Sequence, residues 1–117
     1  MNPCEMQMRC YEEMAPLTER MLDLARGEQW AGLGPLEERF SALADELRQI
    51  EPCVSGAPGG EDWRRRCALL HARIQANHGA LRALVLPELA RLAASLRSME
   101  WQQNLQSAYS QPGRAWL

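Results

Sequence analysis

The residues best suited to chemistry are one cysteine and two histidines in the middle of the chain. Cys67, His71 and His78 follow one another at intervals of four and seven residues, which puts their side chains near one side of an α-helix. Thiolate and imidazole groups are ligands of zinc, so a metal- or thiol-dependent enzyme is one interpretation. The spacing lacks two histidines one helical turn apart, and no third group orients a cysteine–histidine pair. We therefore expect no catalytic residue, no metal and no cofactor.

Lysine is absent from the chain, whose 13 basic side chains are all arginine. A Schiff base needs a lysine amine and a P-loop needs a lysine beside its phosphates, so both kinds of enzyme are excluded. The glycines do not form the G-x-G-x-x-G pattern of dinucleotide-binding folds. The composition thus favours a protein that binds partners over one that catalyses a reaction.

The charges are unevenly divided along the chain. Residues 1–52 carry 11 acidic and 5 basic side chains, whereas residues 53–117 carry 4 acidic and 8 basic ones. The two halves should attract each other within one molecule or between two copies. An arginine run at 64–66, next to Trp63, could contact a nucleic acid, but the net charge of −2 is unlike that of a nucleic-acid-binding domain. We expect these arginines to pair with acidic helices, and we expect no nucleic-acid partner.

Length and hydropathy indicate one folded domain spanning residues 1–117. The hydrophobic fraction of 46% is ordinary for a globular protein. No apolar run is long enough to cross a bilayer, and the first residues do not resemble a signal peptide. We therefore expect a cytoplasmic protein without a membrane partner, whose four cysteines remain thiols.

Two stretches near the amino terminus show the apolar periodicity of amphipathic helices. In the first, apolar side chains recur every three or four residues over 10–24, and Gly27 is a suitable stop. Pro16 lies inside this stretch and predicts a kink or a restart. In the second, the apolar positions are Leu33, Leu36, Phe40, Leu43, Leu47 and Ile50. Pro52 should end that helix, and the glycine- and proline-rich segment 52–60 should form a loop.

The third stretch is the longest and predicts one helix of about 35 residues. Its apolar stripe keeps a step close to the α-helical repeat and stays in phase across Pro87, where we expect a kink or a break. The stripe positions are Trp63, Cys67, Leu70, Ile74, Asn77, Leu81, Val85, Leu89, Leu92 and Leu96. Asn77 is the polar member. It is either a buried amide that fixes the register of packing, or a sign that the stripe is partly exposed at that turn.

Beyond residue 97 the apolar side chains change to another face of the helix. A new line at intervals of four residues consists of Trp101, Leu105 and Tyr109. One straight helix could not bury this line and Met99 against the same core. We therefore predict a separate short helix over residues 98–110, with Ser98 as its N-cap, and a loose tail over 112–117. The predicted fold class is all-α: an antiparallel helical hairpin or bundle of three main helices plus a short C-terminal helix.

Two segments resemble regions of the FliT-type flagellar export chaperones. Residues 22–30, Leu-Asp-Leu-Ala-Arg-Gly-Glu-Gln-Trp, resemble the family's connection between its first two helices. Residues 102–109, Gln-Gln-Asn-Leu-Gln-Ser-Ala-Tyr, resemble the Q-Q-x-L-x-x-A-Y pattern of its C-terminal helix. Asn77 and the leucines of 81–96 can be laid on the family's long third helix without gaps. The resemblance covers about residues 10–110.

The resemblance implies a small cytosolic chaperone. Such a protein binds the C-terminal segment of the filament cap protein, FliD, and delivers it to the flagellar type III export ATPase and export gate. Some members also bind and restrain the flagellar master transcription regulator, and members can be homodimers. The family's C-terminal helix covers the client groove and engages the gate, a role that the motif assigns to Leu105, Ala108 and Tyr109.

We expect the client groove to be lined by helices 2 and 3, with a tryptophan of the C-terminal helix as a further anchor. The expected partner-binding residues are Phe40, Leu43, Leu47, Leu70, Ile74, Asn77, Leu81, Trp101, Leu105, Ala108 and Tyr109. A structural homo-oligomer, in which the apolar stripes pair between copies, is the other alternative to the chaperone interpretation.

Overall fold

The computed structural model of the protein describes residues 2–54 and 60–110, apart from the side chains at 53, 54, 109 and 110. These ranges contain three α-helices, one short 3-10 turn and no strand, so the predicted all-α class is confirmed. The helices are α1 (Pro3–Arg26), α2 (Leu33–Val54) and α3 (Glu61–Ser110), with the 3-10 turn at Trp30–Gly32. None of the described helices has an apolar stretch long enough to span a bilayer.

The ends of α1 follow from its sequence. The side chain of Asn2 accepts a hydrogen bond from the backbone N–H of Glu5 at 2.8 Å, and Pro3 takes the first turn, where its missing N–H costs nothing. Gly27 caps the other end, as predicted. The helix begins seven residues before the first apolar stripe position and continues through Pro16. It does so because buried residues before and after the proline hold both segments in one helix.

A tight connection turns the chain from α1 into α2. The backbone N–H of Gln29 donates to the carbonyl of Leu24 at 2.9 Å, and Glu28 adopts the left-handed conformation with φ of 55°. The added side-chain atom of an alanine at Gly32 would lie 3.2 Å from a methyl group of Leu24. This connection reverses the chain within a few residues and brings α2 back along α1.

The chain divides into two compact units, residues 1–84 and 85–117. In the first unit the core is formed by one face of each helix. It consists of Cys10, Tyr11, Met14, Ala15, Leu17, Thr18, Met21, Leu22 and Ala25 from α1, Leu43, Leu47 and Ile50 from α2, and Ile74 and Leu81 from α3. The periodicity predicted these faces correctly. The second unit contains the rest of α3.

The direction of each helix in the first unit can be read from its contacts. Glu13 of α1 pairs with Arg39 of α2 at 2.6 Å, whereas Cys10, earlier in α1, contacts Glu46, later in α2, at 3.8 Å. These two helices are therefore antiparallel, as the predicted hairpin requires. Contacts between α1 and α3 instead advance together along both helices. The pairs are Cys4–Trp63, Glu12–Arg66, Thr18–Asn77 and Glu19–Arg73. Helix α3 thus runs parallel to α1.

The predicted helix boundary at residue 98 is wrong. The separate helix predicted over 98–110 does not exist, since α3 continues unbroken to Ser110. No glycine or proline occurs between Glu88 and Ser110, and alanine, leucine, arginine and glutamine favour helix there more strongly than Ser98 favours a cap. Helix α3 also continues through Pro87, which therefore does not break it.

Helix α2 also extends further than predicted. It includes Pro52 and ends at Val54, because a proline near the end of a helix deprives only one carbonyl of its partner. The predicted loop 52–60 is therefore wrong over residues 52–54. Residues 55–59 of the predicted loop and the predicted tail 112–117 lie outside the described residues.

Candidate partner-binding site

The second unit carries a row of large apolar side chains that are exposed to solvent. Their exposed fractions lie between 36% and 64%, and the residues are Leu86, Leu89, Leu92, Leu96, Met99, Trp101 and Leu105. Single exposed leucines are common on protein surfaces, but several large apolar side chains exposed along one helix are typical of a surface that binds another molecule. We call these seven residues the exposed stripe.

The exposed stripe arises from the helical periodicity of the sequence. Leu89, Leu92, Leu96 and Met99 continue the three- and four-residue steps of the α3 core face. Trp101 and Leu105 form a second line on the opposite side of the helix, since Trp101 lies two residues, about 200°, beyond Met99. Apolar side chains therefore occupy two sides of α3 beyond Val85, and the line from Leu89 to Met99 is the one along which a partner helix could pack.

An ion pair within this part of α3 lies beside the stripe. Arg91 donates two hydrogen bonds to Glu88, one of them from Nε at 3.1 Å. The hydrogen bond from Arg91 lowers the pKa of the Glu88 carboxyl. This pair keeps a charged edge next to the apolar row, and a partner with polar residues along one side could meet that edge.

The seven predicted groove residues on helices 2 and 3 all lie in the first unit. Four of them are buried in its core, namely Leu43, Leu47, Ile74 and Leu81. Phe40, Leu70 and Asn77 are half-buried. Phe40 stacks on His78 with ring centroids 5.6 Å apart and an interplanar angle of 11°. These residues pack α2 and α3 within the unit, and their role in binding a client stays a prediction.

The predicted residues near the end of α3 lie on the second unit. Trp101 and Leu105 belong to the exposed stripe, and Ala108 is half-buried. The side chain of Tyr109 lies outside the described part of the chain. Sequence reasoning missed Leu86, Leu89, Leu92, Leu96 and Met99 as candidate binding residues. It placed Leu89, Leu92 and Leu96 on the apolar stripe that was expected to pack against the other helices.

Asn77 combines features of both predicted alternatives. It is half-buried, and its Nδ2 donates to Oγ1 of Thr18 at 3.3 Å. Thr18 is fully buried and donates its own proton to the carbonyl of Ala15 at 2.8 Å. The amide thus joins α3 to a buried hydroxyl of α1. The pKa of the neighbouring Glu19 is lowered chiefly by its hydrogen bond from Arg73, and to a smaller extent by Asn77.

The candidate metal ligands do not converge. Within residues 2–54 and 60–110, no three histidine, cysteine or acidic side chains are arranged to hold a metal ion. His71 meets Tyr11 edge-to-face, with centroids 6.0 Å apart, while His78 stacks on Phe40. Burial raises the pKa of the Cys67 thiol. The two imidazoles therefore pack against aromatic rings of two different helices.

The divided charge of the sequence appears as ion pairs between helices. Arg66 contacts Glu12 at 3.2 Å, and Arg73 contacts Glu19 at 2.5 Å, so the first part of α3 is tied to acidic α1. Within its own helix, Arg65 lies 3.8 Å from Asp62. These pairs agree with the expectation that the arginine run meets acidic side chains.

A groove between α1 and α2 was not predicted from the sequence. It has a volume of about 430 Å³, and Met6, Leu43 and Ile50 provide its apolar lining. The Glu13–Arg39 pair borders it, and the Cys10 thiol lies within it, 3.8 Å from a carboxylate oxygen of Glu46. Burial, and secondarily the charge of Glu46, raises the pKa of Cys10. A thiol with a raised pKa is a poor nucleophile at neutral pH.

Comparison with known families identifies the chain. The family model described as flagellar protein FliT matches residues 8–111, which include all but the first residues of α1 and the whole of α2 and α3. No curated protein and no solved structure matches the chain. The matched range contains the exposed stripe and every predicted partner-binding residue. The chain therefore belongs to the FliT family of flagellar proteins.

Proposed function

We propose that this FliT-family protein is a cytosolic flagellar export chaperone, without enzymatic activity, that binds the C-terminal segment of the filament cap protein FliD. The observation that carries the proposal is the exposed stripe on α3. A chaperone must offer apolar surface to a client, and the stripe offers seven exposed large apolar side chains, of which Leu89, Leu92, Leu96 and Met99 form one line along the helix. Membership of the FliT family of flagellar proteins supports a role in the flagellum.

A client segment would bind by packing an amphipathic helix along the stripe. Burying one exposed leucine side chain contributes about 1.5–3 kcal/mol, so a few such contacts suffice for micromolar affinity after the cost of association. While the client is bound, it would cover the exposed stripe and so prevent aggregation through that apolar surface. Release at the export ATPase and export gate would then expose it for the next client, with Tyr109 and Ala108 as the gate contacts that the family motif suggests.

The test is calorimetric titration of the full chain with a peptide of the FliD C-terminal segment. Leu96→Glu places a charge in the middle of the stripe, and we expect it to weaken binding by about 10–100-fold, the equivalent of losing one buried leucine. Leu69→Glu is the matched control, because Leu69 is also an exposed leucine of α3, at 66% against 61% for Leu96, but lies in the first unit. Equal affinities of the two variants would remove the stripe from the client site.

The exposed stripe also favours a second function, the pairing of two copies of the chain. Two stripes packed together would give a homodimer or larger structural oligomer held by leucine contacts. Light scattering on the wild type and Leu96→Glu separates the two functions. A dimer that the variant converts to a monomer, together with unchanged FliD binding, would assign the stripe to self-association.

Restraint of the flagellar master transcription regulator is a further role that the family suggests. No residue of this chain has been matched to it, so the proposal is carried by family membership alone. Co-purification of the regulator with the wild type, and its loss in Leu96→Glu or in Leu69→Glu, would locate the surface that binds it. If the regulator does not co-purify with the wild type, the proposal that this protein restrains it would be refuted.

A further inference from the structure

Two cysteine thiols lie where the first turns of α1 and α3 meet. Cys4 is the second residue of α1, and Cys67 is the seventh residue of α3, in its second turn. Both are free and half-buried, in contrast to Cys10, which is buried. Partial exposure leaves both thiols within reach of a small oxidant in solution.

Three contacts define how these two turns pack. The indole Nε1 of Trp63 donates to the backbone carbonyl of Cys4 at 3.0 Å, which fixes the start of α1 against α3. About two turns later along both helices, the rings of Tyr11 and His71 lie edge-to-face, and Arg66, one turn after Trp63, pairs with Glu12. Because α1 and α3 are parallel here, the offset between partners stays nearly constant along the pair.

The position of Cys67 follows from these contacts. It lies four residues after Trp63 and four before His71, on the face of α3 that meets α1. Its side chain therefore lies between Cys4 and Tyr11, which are two turns apart on one face of α1. The electrostatics agree: after burial, the charge of Cys4 is the largest influence that raises the pKa of Cys67. The pKa of Tyr11 is raised chiefly by burial, then by Glu51 and by Cys67.

We propose that Cys4 and Cys67 form a reversible disulfide when the protein meets a low-molecular-weight disulfide such as oxidised glutathione. One of the two steps needs the thiolate of Cys67, whose pKa burial raises, so the exchange is slow at neutral pH and faster in alkaline buffer. One protein thiolate attacks the glutathione disulfide, expels one glutathione thiolate and becomes a mixed disulfide. The second protein thiolate then attacks the protein sulfur of that mixed disulfide and expels the other glutathione. Two protein thiols are oxidised, one glutathione disulfide is reduced to two thiols, and two protons pass to the solvent or to the departing thiolates.

The bond would connect the start of α1 to the start of α3. It would close a chain segment that contains all of α2 and would fix the parallel packing of α1 and α3 in place. Such a site is independent of the proposed client site, because both cysteines belong to the unit of residues 1–84 and the exposed stripe belongs to the other unit.

The test uses the full chain and trypsin, which cleaves after arginine. Because lysine is absent, each cysteine falls in its own tryptic peptide. Cys4 is in 1–9, Cys10 in 10–20, Cys53 in 49–64 and Cys67 in 67–73. The reduced protein is incubated with oxidised glutathione, remaining thiols are alkylated, and the digest is analysed by mass spectrometry. We expect peptides 1–9 and 67–73 to be joined, with the loss of two hydrogens.

Controls make the result specific to the fold. Cys4→Ser and Cys67→Ser should each abolish the joined peptide and leave the alkylation of Cys10 unchanged. In the native protein the joined peptide should exceed any pair that contains Cys53 by at least about tenfold, because the folded helices hold the two thiols at high effective concentration. In denaturant this preference should disappear.

Two results would overturn the proposal. One is glutathione attached to Cys4 or Cys67 in the native protein without the joined peptide, which would mean that the thiols do not reach each other. The other is a joined peptide whose yield rises with protein concentration and that occurs only in covalent dimers, which would mean that the bond forms between copies.

Discussion

The hydrogen bond between Asn77 and Thr18 should be measurable as a coupling between α3 and α1. Its length of 3.3 Å is near the upper limit for a hydrogen bond, and both groups are neutral. We therefore take the lower part of the usual range and expect a coupling energy of about 0.5–1 kcal/mol in the free energy of unfolding. The perturbation is a double-mutant cycle with Thr18→Val and Asn77→Ala.

The two single variants differ in what they leave behind. Thr18→Val keeps the shape of a fully buried side chain while removing its hydroxyl, which also bonds to the carbonyl of Ala15. Asn77→Ala leaves that internal bond intact and removes the amide donor. Each should lower the free energy of unfolding by about 1 kcal/mol, and the double variant should lose less than the sum.

The assay is urea denaturation followed by circular dichroism. With a slope of about 1–3 kcal/mol per molar urea, a loss of 1 kcal/mol moves the midpoint by a fraction of a molar to about 1 M, which is readily measured. The effect of Asn77 on Glu19 is retained in Thr18→Val and cancels in the cycle. Strictly additive variants, with a coupling below about 0.3 kcal/mol, would refute the idea that this pair fixes the packing of α1 against α3.

Three other predictions concern α1 and its surroundings. Glu28→Gly should raise the free energy of unfolding by up to about 1 kcal/mol in a thermal melt, because Glu28 has a left-handed φ of 55° that glycine adopts without strain; a lower melting temperature would contradict this. Trp63→Phe removes the bond to the carbonyl of Cys4 and should cost about 0.5–1.5 kcal/mol, with faster amide exchange in the first turns of α1 than in its last; uniform exchange would argue against it. The hydrogen bond from Arg73 lowers the pKa of Glu19 below its ordinary 4.5, so this carboxylate stabilises the fold above that pH and loses its effect as the pH falls through the lowered value. Glu19→Gln should therefore flatten the acid side of the stability curve, and an unchanged acid side would count against the pair.

Much of the fold could be predicted because apolar periodicity records which faces meet. The stripes over 10–24 and 33–50 became the buried faces of α1 and α2, and Gly27 ended α1 as expected. The ends of the helices were less predictable, because a residue that favours a helix end competes with neighbours that favour continuing the helix. Ser98 is an acceptable cap in isolation, yet the residues around it favour an uninterrupted helix, and α3 passes through it.

The candidate site shows where periodicity stops being informative. Leu81 and Leu89 occupy the same stripe two turns apart, yet Leu81 is 6% exposed and Leu89 is 53% exposed. The sequence marks both as apolar positions on one helical face, and nothing in the apolar pattern distinguishes the buried leucine from the exposed one. The exposed stripe could therefore be located only from the exposure of each side chain in the structure.

The parallel arrangement of α1 and α3 has an electrostatic consequence. Every helix has a partial positive charge at its amino end, and parallel neighbours bring two such charges to the same end of the unit. The acidic residues in these first turns, Glu5 in α1 and Glu61 and Asp62 in α3, oppose both charges. Because α2 is antiparallel to α1, its carboxyl end, with a partial negative charge, lies at this same end of the unit. The helix dipoles of this unit are thus largely compensated at the end where α1 and α3 begin, which allows two parallel helices to pack side by side.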